Sequence, residues 1–133
     1  MILLDTHALI WLDAGDSRFG RKARRTADKA LVAGDLAVSA VSFWEAAMLR
    51  LRGRISLQKP LAAWRLSLIE AGLAEIALTG EIGILAASLE DLPGDPADRM
   101  IAATAAHQGA TLLTGDRAIL DWKGDLRRQD ARA

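Results

Sequence analysis

The chain has 133 residues, one domain's worth, with 51% hydrophobic and 26% charged residues and a formal net charge of zero from 17 basic and 17 acidic side chains. That composition excludes a disordered chain and a collagen-like fibre; the absence of cysteine excludes a disulfide-stapled module, a thiolate nucleophile and any Cys-ligated metal. With only His7 and His107, a three-histidine metal site is excluded too.

The opening MILLDTHALIWL is apolar but carries Asp5, lacks a basic lead-in and a small-residue cleavage site, and does not read as a signal peptide. No apolar run is long enough to span a membrane. A cytoplasmic protein without a membrane partner is the expectation.

In chain order, Ile2-Leu3-Leu4 is wholly apolar, as suits a strand buried on both faces. A helix follows from His7 to about Leu12, then a loop at 15–17. Gly20 to Ala33 reads as a second helix, with Ala23, Ala27, Ala30 and Leu31 on one face. Leu36-Ala37-Val38 is a second strand. Ser42-Phe43-Trp44-Glu45 matches a capping box and predicts a helix start, running to about Arg52. Pro60 lies near the start of a helix that turns Leu61, Trp64 and Leu68 inward. Residues 73–78 form the third strand, and Thr79 caps a helix to about Leu89. Asp95-Pro96 opens a helix to about Gln108, residues 110–113 form the fourth strand, and 116–122 a helical turn or two. A weak fifth strand is placed near 125–128.

Short apolar strands alternating with helices imply βαβ units. The expected fold is α/β: one domain over residues 1–133, a three-layer α/β/α sandwich with a short-stranded parallel central sheet. Ligands of such sheets bind beyond the carboxyl ends of the strands. The residues following each strand are therefore the informative ones. Asp5 and Thr6 follow the first strand; Ser39, Ser42 and Glu45 the second; Thr114, Gly115 and Asp116 the fourth. Asp95 and Asp98 begin the helix leading into the fourth strand.

Singly, each acid has a structural explanation. Asp5, Asp95 and Asp116 suit helix N-caps, Asp98 a first helical turn, and Glu45 a capping box with Ser42. Jointly, the four connections deliver acids to one rim. Clustered carboxylates raise one another's pKa unless a cation neutralises them, and hard oxygens suit Mg²⁺ or Mn²⁺. The chemistry expected is metal-assisted hydrolysis of a phosphodiester.

The segments ILLDTHALIWL (2–12), VSAVSFWEAAML (38–49), DPADRMIAATA (95–105) and LLTGDRAI (112–119) resemble, in order and spacing, the four signatures of PIN-domain ribonucleases, above all the VapC-type toxins of bacterial toxin–antitoxin pairs. The resemblance implies an endoribonuclease toxin with an RNA substrate, a cognate antitoxin and a homodimeric habit. It implies that Asp5, Glu45, Asp98 and Asp116 bind one or two Mg²⁺ or Mn²⁺ ions and orient the attacking water, with Asp95 as an auxiliary ligand. Thr6, Ser42 and Thr114 match small hydroxyl positions supporting the acids. Arg99 matches a basic position that steadies either a carboxylate or a phosphate. Pro93 stands where related third blocks often carry histidine, so no histidine assists there.

His7 suits a helix start or an outer position better than a metal ligand, and His107 a contact with a helix C-terminus. Trp11 and Trp64 fall among leucines and suit core or dimer packing; Trp11, Leu12 and residues 43–51 are the candidate dimer surface. Setting aside the five acids leaves 17 bases against 12 acids, or +5, grouped around residues 18–25, 50–54 and 127–132. A basic rim around an acidic pocket suits a nuclease; a solvated helix face and a frayed tail are the plainer readings of the first and last groups.

Two other functions compete for the same residues. A Mg²⁺-binding, receiver-like signalling or interaction module needs an acidic pair after the first strand, an acceptor Asp after the third and a Lys after the last; the chain has none of these. An Asp-x-Asp phosphatase needs a second aspartate where His7 stands.

Overall fold

The computed structural model describes all 133 residues. Its elements are β1 (Ile2–Leu4), α1 (Thr6–Ala14), α2 (Arg21–Val32), β2 (Leu36–Ser39), α3 (Val41–Leu51), α4 (Leu61–Glu70), β3 (Ala74–Ile76), α5 (Gly80–Ser88), α6 (Pro96–His107), β4 (Thr111–Thr114), α7 (Arg117–Asp121) and β5 (Arg128–Asp130). All strand pairs are parallel, in the order β3-β2-β1-β4-β5.

The central strands are apolar because both faces are covered. Leu4, Leu36, Val38 and Leu113 pack on one side with Ala8, Leu9 and Ala23, Ala27 and Ala30 of α2. Leu3, Ala37 and Leu112 pack on the other with Ile101, Ala102 and Ala105 of α6. The alternation follows the two-residue period of a strand. Small residues on α2 and α6 let those helices lie close to the sheet. Outside α6 lies α5, through Ile82, Ala86 and Ala103.

The chain leaves β1 towards β2 on one side and returns from β3 to β4 on the other. The order therefore reverses between β1 and β4, and the crevice beyond their carboxyl ends is where such a sheet binds ligands. Leu4 pairs with Val38 on one side and Leu113 on the other, so Asp5, Ser39 and Thr114 emerge together at that edge.

Three expectations change. Helix α3 starts at Val41, not Ser42, and the Ser42–Glu45 capping box is absent. Instead the Val41 amide donates to Ser39 Oγ at 3.2 Å, which frees Ser42 to face inward from within the helix. The fifth strand is 128–130 rather than 125–128; its residues are half-buried and polar, so no hydrophobic pattern marks them, while the apolar Leu126 packs before the strand begins. The C-terminal segment is not frayed: the Gly20 amide donates to Ala131 O at 2.9 Å and the Ala23 amide to Ala133 O at 3.1 Å.

Candidate metal centre

Asp5 is where β1 turns into α1. Its amide still belongs to the sheet, donating to Leu113 O at 3.1 Å, while its carbonyl accepts the Leu9 amide at 3.0 Å. Its side chain caps α1, Oδ1 accepting the Ala8 amide at 2.8 Å, and Oδ2 accepts the Thr114 hydroxyl. Thr114 Oγ1 accepts in turn from the Asp116 amide at 3.1 Å, and Asp116 Oδ1 accepts from Ala118 N at 2.9 Å, capping α7. A single hydroxyl thus ties the end of β4 to two acids.

Asp95 and Asp98 form the capping box of α6. Asp95 Oδ1 accepts the Asp98 amide at 2.9 Å and Asp98 Oδ2 accepts the Asp95 amide at 3.3 Å. Glu45 lies one turn into α3, after Ser42, whose Oγ accepts the Thr6 hydroxyl at 3.0 Å in a fully buried contact between α1 and α3. Capping and clustering coexist: the bonds that start the helices aim their acids at one crevice.

That crevice has a volume of about 510 Å³. Asp5, Glu45, Asp95, Asp98 and Asp116 all line it, with His7, Trp11, Trp44 and four arginines, Arg18, Arg52, Arg54 and Arg132. Carboxylate oxygens of Glu45, Asp95 and Asp98 lie within 4.8 Å of one another. Burial, then the charges of Asp95, Glu45 and Asp116, push the Asp98 carboxyl up to about 7. Burial chiefly, with a smaller contribution from Glu45, raises Asp5, opposed first by the Thr114 hydroxyl and the Ala8 amide. The acids thus share one electrostatic field, and an all-oxygen donor set under mutual repulsion fits a hard divalent cation.

The hydroxyl expectations correspond to specific bonds: Thr114 to Asp5, and Thr6 to Ser42. Arg99 has no carboxylate partner. Its guanidinium donates to Leu89 O at 2.6 Å, Leu92 O at 2.9 Å and Ala86 O at 3.2 Å. It gathers the carbonyls that the end of α5 and the following loop leave unpaired, and so holds the approach to Asp95. Trp11, expected at a dimer surface, is only 4% exposed within one chain, whereas Trp44 and Leu51 of the 43–51 segment are 58% and 81% exposed. Trp64 is core, with its indole N–H on Asp13 at 2.8 Å. His7 is exposed at the start of α1 beside Trp11. His107 lies in the last turn of α6, the helix end expected for it, and its Nε2 also approaches Glu81 of α5 at 3.0 Å.

Of the basic groups, Arg18, Arg52, Arg54 and Arg132 reach the crevice, whereas the bases of α2 do not line it. Gly94 escaped the sequence reading. It has φ +117°, and a Cβ there would lie 2.8 Å from Asp98 Oδ2, so the Pro-Gly-Asp-Pro turn leaves room for the acid. The glycine within that Pro-Gly-Asp-Pro run was the available signal. No lysine lines the crevice, nor does any residue of the loop directly after β3 (77–79), which leaves a receiver-like phosphoacceptor site without its parts.

The sequence profile of the PIN domain matches residues 2–123. The chain belongs to the PIN-domain family. Ribonuclease VapC22 of Mycobacterium tuberculosis is 36% identical over 119 residues, covering 89% of this chain and 88% of that protein. Among solved structures, VapBC2 from Rickettsia felis bound to a DNA fragment from its promoter superposes with a TM-score of 0.67 at 17% identity, over 97% of this chain and 98% of that one. A toxin–antitoxin complex from Klebsiella pneumoniae gives 0.63 at 21% identity, over 98% of both chains. These structures share the three-layer fold of this PIN domain and its parallel sheet.

Proposed function

We propose that this PIN domain, acting as one unit over residues 1–133, is a metal-dependent endoribonuclease and the toxin of a type II toxin–antitoxin pair. The observation that carries the chemistry is the approach of Glu45, Asp95 and Asp98 within 4.8 Å in a crevice that four arginines also line. Membership of the family and the 36% identity to a ribonuclease support the polynucleotide substrate. The toxin role is supported by the toxin–antitoxin structures that share the fold. A cognate antitoxin, a cytoplasmic setting and a homodimer drawing on Trp44 and Leu51 belong to the same proposal; no helix is long and apolar enough to cross a membrane.

Glu45, Asp98, Asp5 and Asp116 would hold Mg²⁺ or Mn²⁺, with Asp95 as the auxiliary ligand. When bound, such an ion lowers the pKa of water and offsets charge on the phosphoryl oxygens. The chain's own part is positional. Asp5 is fixed through both oxygens by Ala8 and Thr114. Asp116 commits Oδ1 to Ala118 and keeps Oδ2 to orient a water. The acids deter a polyanion until their charge is offset, while the arginines lining the same crevice attract it.

Purified protein should cut structured RNA in Mg²⁺ or Mn²⁺ and stop in EDTA. Asp5→Asn and Asp98→Asn should abolish cutting while keeping the helical circular dichroism of the parent. Cleavage by either variant at the parent rate would refute the assignment of these acids.

A further inference from the structure

The crevice holds four arginines, and they are not equivalent. Arg18 also lies over the Trp11 ring, 5.1 Å from its centroid, but it is forked onto Asp16, with its Nη2 2.7 Å from Oδ2. Arg52 and Arg54 lie exposed at and beyond the end of α3. Arg132 is exposed and has no carboxylate within ion-pair distance, although the crevice it lines contains five acids. An unpaired guanidinium that is nevertheless held in place is an unusual arrangement, and three features hold it.

Its backbone is tied on both sides. The Arg132 amide donates to Asp130 Oδ1 at 2.8 Å, and the flanking carbonyls of Ala131 and Ala133 accept the amides of Gly20 and Ala23. Gly20 is required for this closeness: a Cβ there would lie 1.9 Å from Ala133 O. The guanidinium then rests 4.8 Å from the centroid of Trp11. Trp11 is itself fixed, with its six-membered ring against Gly115, where a Cβ would meet it at 2.8 Å. Gly115 stands between Thr114, which bonds Asp5, and Asp116.

We propose that Arg132 is the phosphate anchor of this site, a binding residue that grips an RNA backbone phosphate adjacent to the one undergoing hydrolysis. The assignment rests on the nuclease reading above and adds to it the residue that sets the register of the strand. A guanidinium held over an indole makes no hydrogen bond to it, so its terminal N–H groups can fork onto phosphate oxygens. Because backbone and stack already order the side chain, little freedom is lost on binding. The Trp11–Gly115 contact joins that anchor to the turn that carries Asp116, so anchor and acids keep a fixed spacing.

The test separates binding from cleavage. In the cleavage-deficient Asp98→Asn background, anisotropy of a fluorescein-labelled single-stranded oligoribonucleotide reads affinity against salt concentration. Arg132→Ala should weaken binding about tenfold and reduce the salt slope by about one, with the parent melting temperature. Arg132→Lys should restore the slope and only part of the affinity, whereas Arg132→Gln should restore neither. In the otherwise unaltered enzyme, Arg132→Gln should raise KM with kcat largely kept. Unchanged affinity and slope in Arg132→Ala would overturn the proposal. Should the alanine variant fail to fold, Lys and Gln variants of equal slope and affinity would overturn it as well. Arg132-dependent binding by a parent protein that cleaves nothing would keep the anchor and remove the nuclease reading.

Discussion

The hydroxyl of Thr114 donates to Asp5 Oδ2, joining residues 109 positions apart across the boundary between β1 and β4. Asp5 is almost fully buried, and removing this donor leaves a carboxylate oxygen without its protein partner. Thr114→Val should lower cleavage by about 10- to 100-fold, the usual cost of losing a group that orients a metal ligand. Thr114→Ser should retain most activity. Equal rates in the Val and parent proteins would show that the hydroxyl does not position Asp5.

Gly94 offers a second, sharper test of how the acids are placed. Its φ of +117° and the 2.8 Å approach of a hypothetical Cβ to Asp98 Oδ2 combine strain with displacement. Gly94→Ala should destabilise the fold by about 1–3 kcal/mol in urea unfolding and lower kcat through the shift of Asp98. A variant of parent stability and rate would mean that the turn relaxes without moving the acid.

Arg99 should matter for stability without touching the chemistry. Arg99→Met keeps the stem and strips the donors from three carbonyls. The loss should be about 1.5–3 kcal/mol, as for hydrogen bonds from a charged group. Residual activity, measured well below the melting temperature, should stay within a few fold of the parent.

Stability should also follow the titration of the acids. The Asp98 carboxyl is raised from 3.8 to about 7 in the fold, and Asp5 is raised as well. A group with a raised folded pKa contributes its stability fully below the unfolded value and loses it as pH rises through the folded value. Metal-free protein should therefore lose melting temperature between about pH 4 and pH 7. Asp98→Asn should flatten that part of the profile, and saturating Mn²⁺ should raise the melting temperature at pH 8 more than at pH 5, where protons compete for the ligands. An Asp98→Asn profile that follows the parent's across this range would show that Asp98 does not carry this loss.

Much of this was legible in the chain because the signals were local. Ile2-Leu3-Leu4, the Thr79 cap and the Asp95-Pro96 start each declare an element within a few residues, and the element after each strand shows which acids reach the rim. What escaped depends on contacts between distant segments. Ser42 looked like a cap because its sequence fits one, yet it turns inward to receive Thr6. Arg99 looked like a phosphate or carboxylate partner from the resemblance alone, yet three carbonyls from α5 and the loop after it claim its guanidinium. Strand β5 has no hydrophobic pattern because it is a half-buried edge. Arg132 looked like part of a tail because nothing nearby in sequence reports that the chain folds back onto Gly20.

The proposed divalent-metal centre draws its acids from four connections, and carboxylate oxygens of Glu45, Asp95 and Asp98 already lie within 4.8 Å of one another. Anomalous diffraction from crystals grown with Mn²⁺ reads that centre without any assay of cleavage. A manganese peak is expected within bonding distance of Asp98 and Glu45, and it should be lost in Asp98→Asn. At saturating Mn²⁺, a crevice without density, or a peak elsewhere on the surface, would refute the centre.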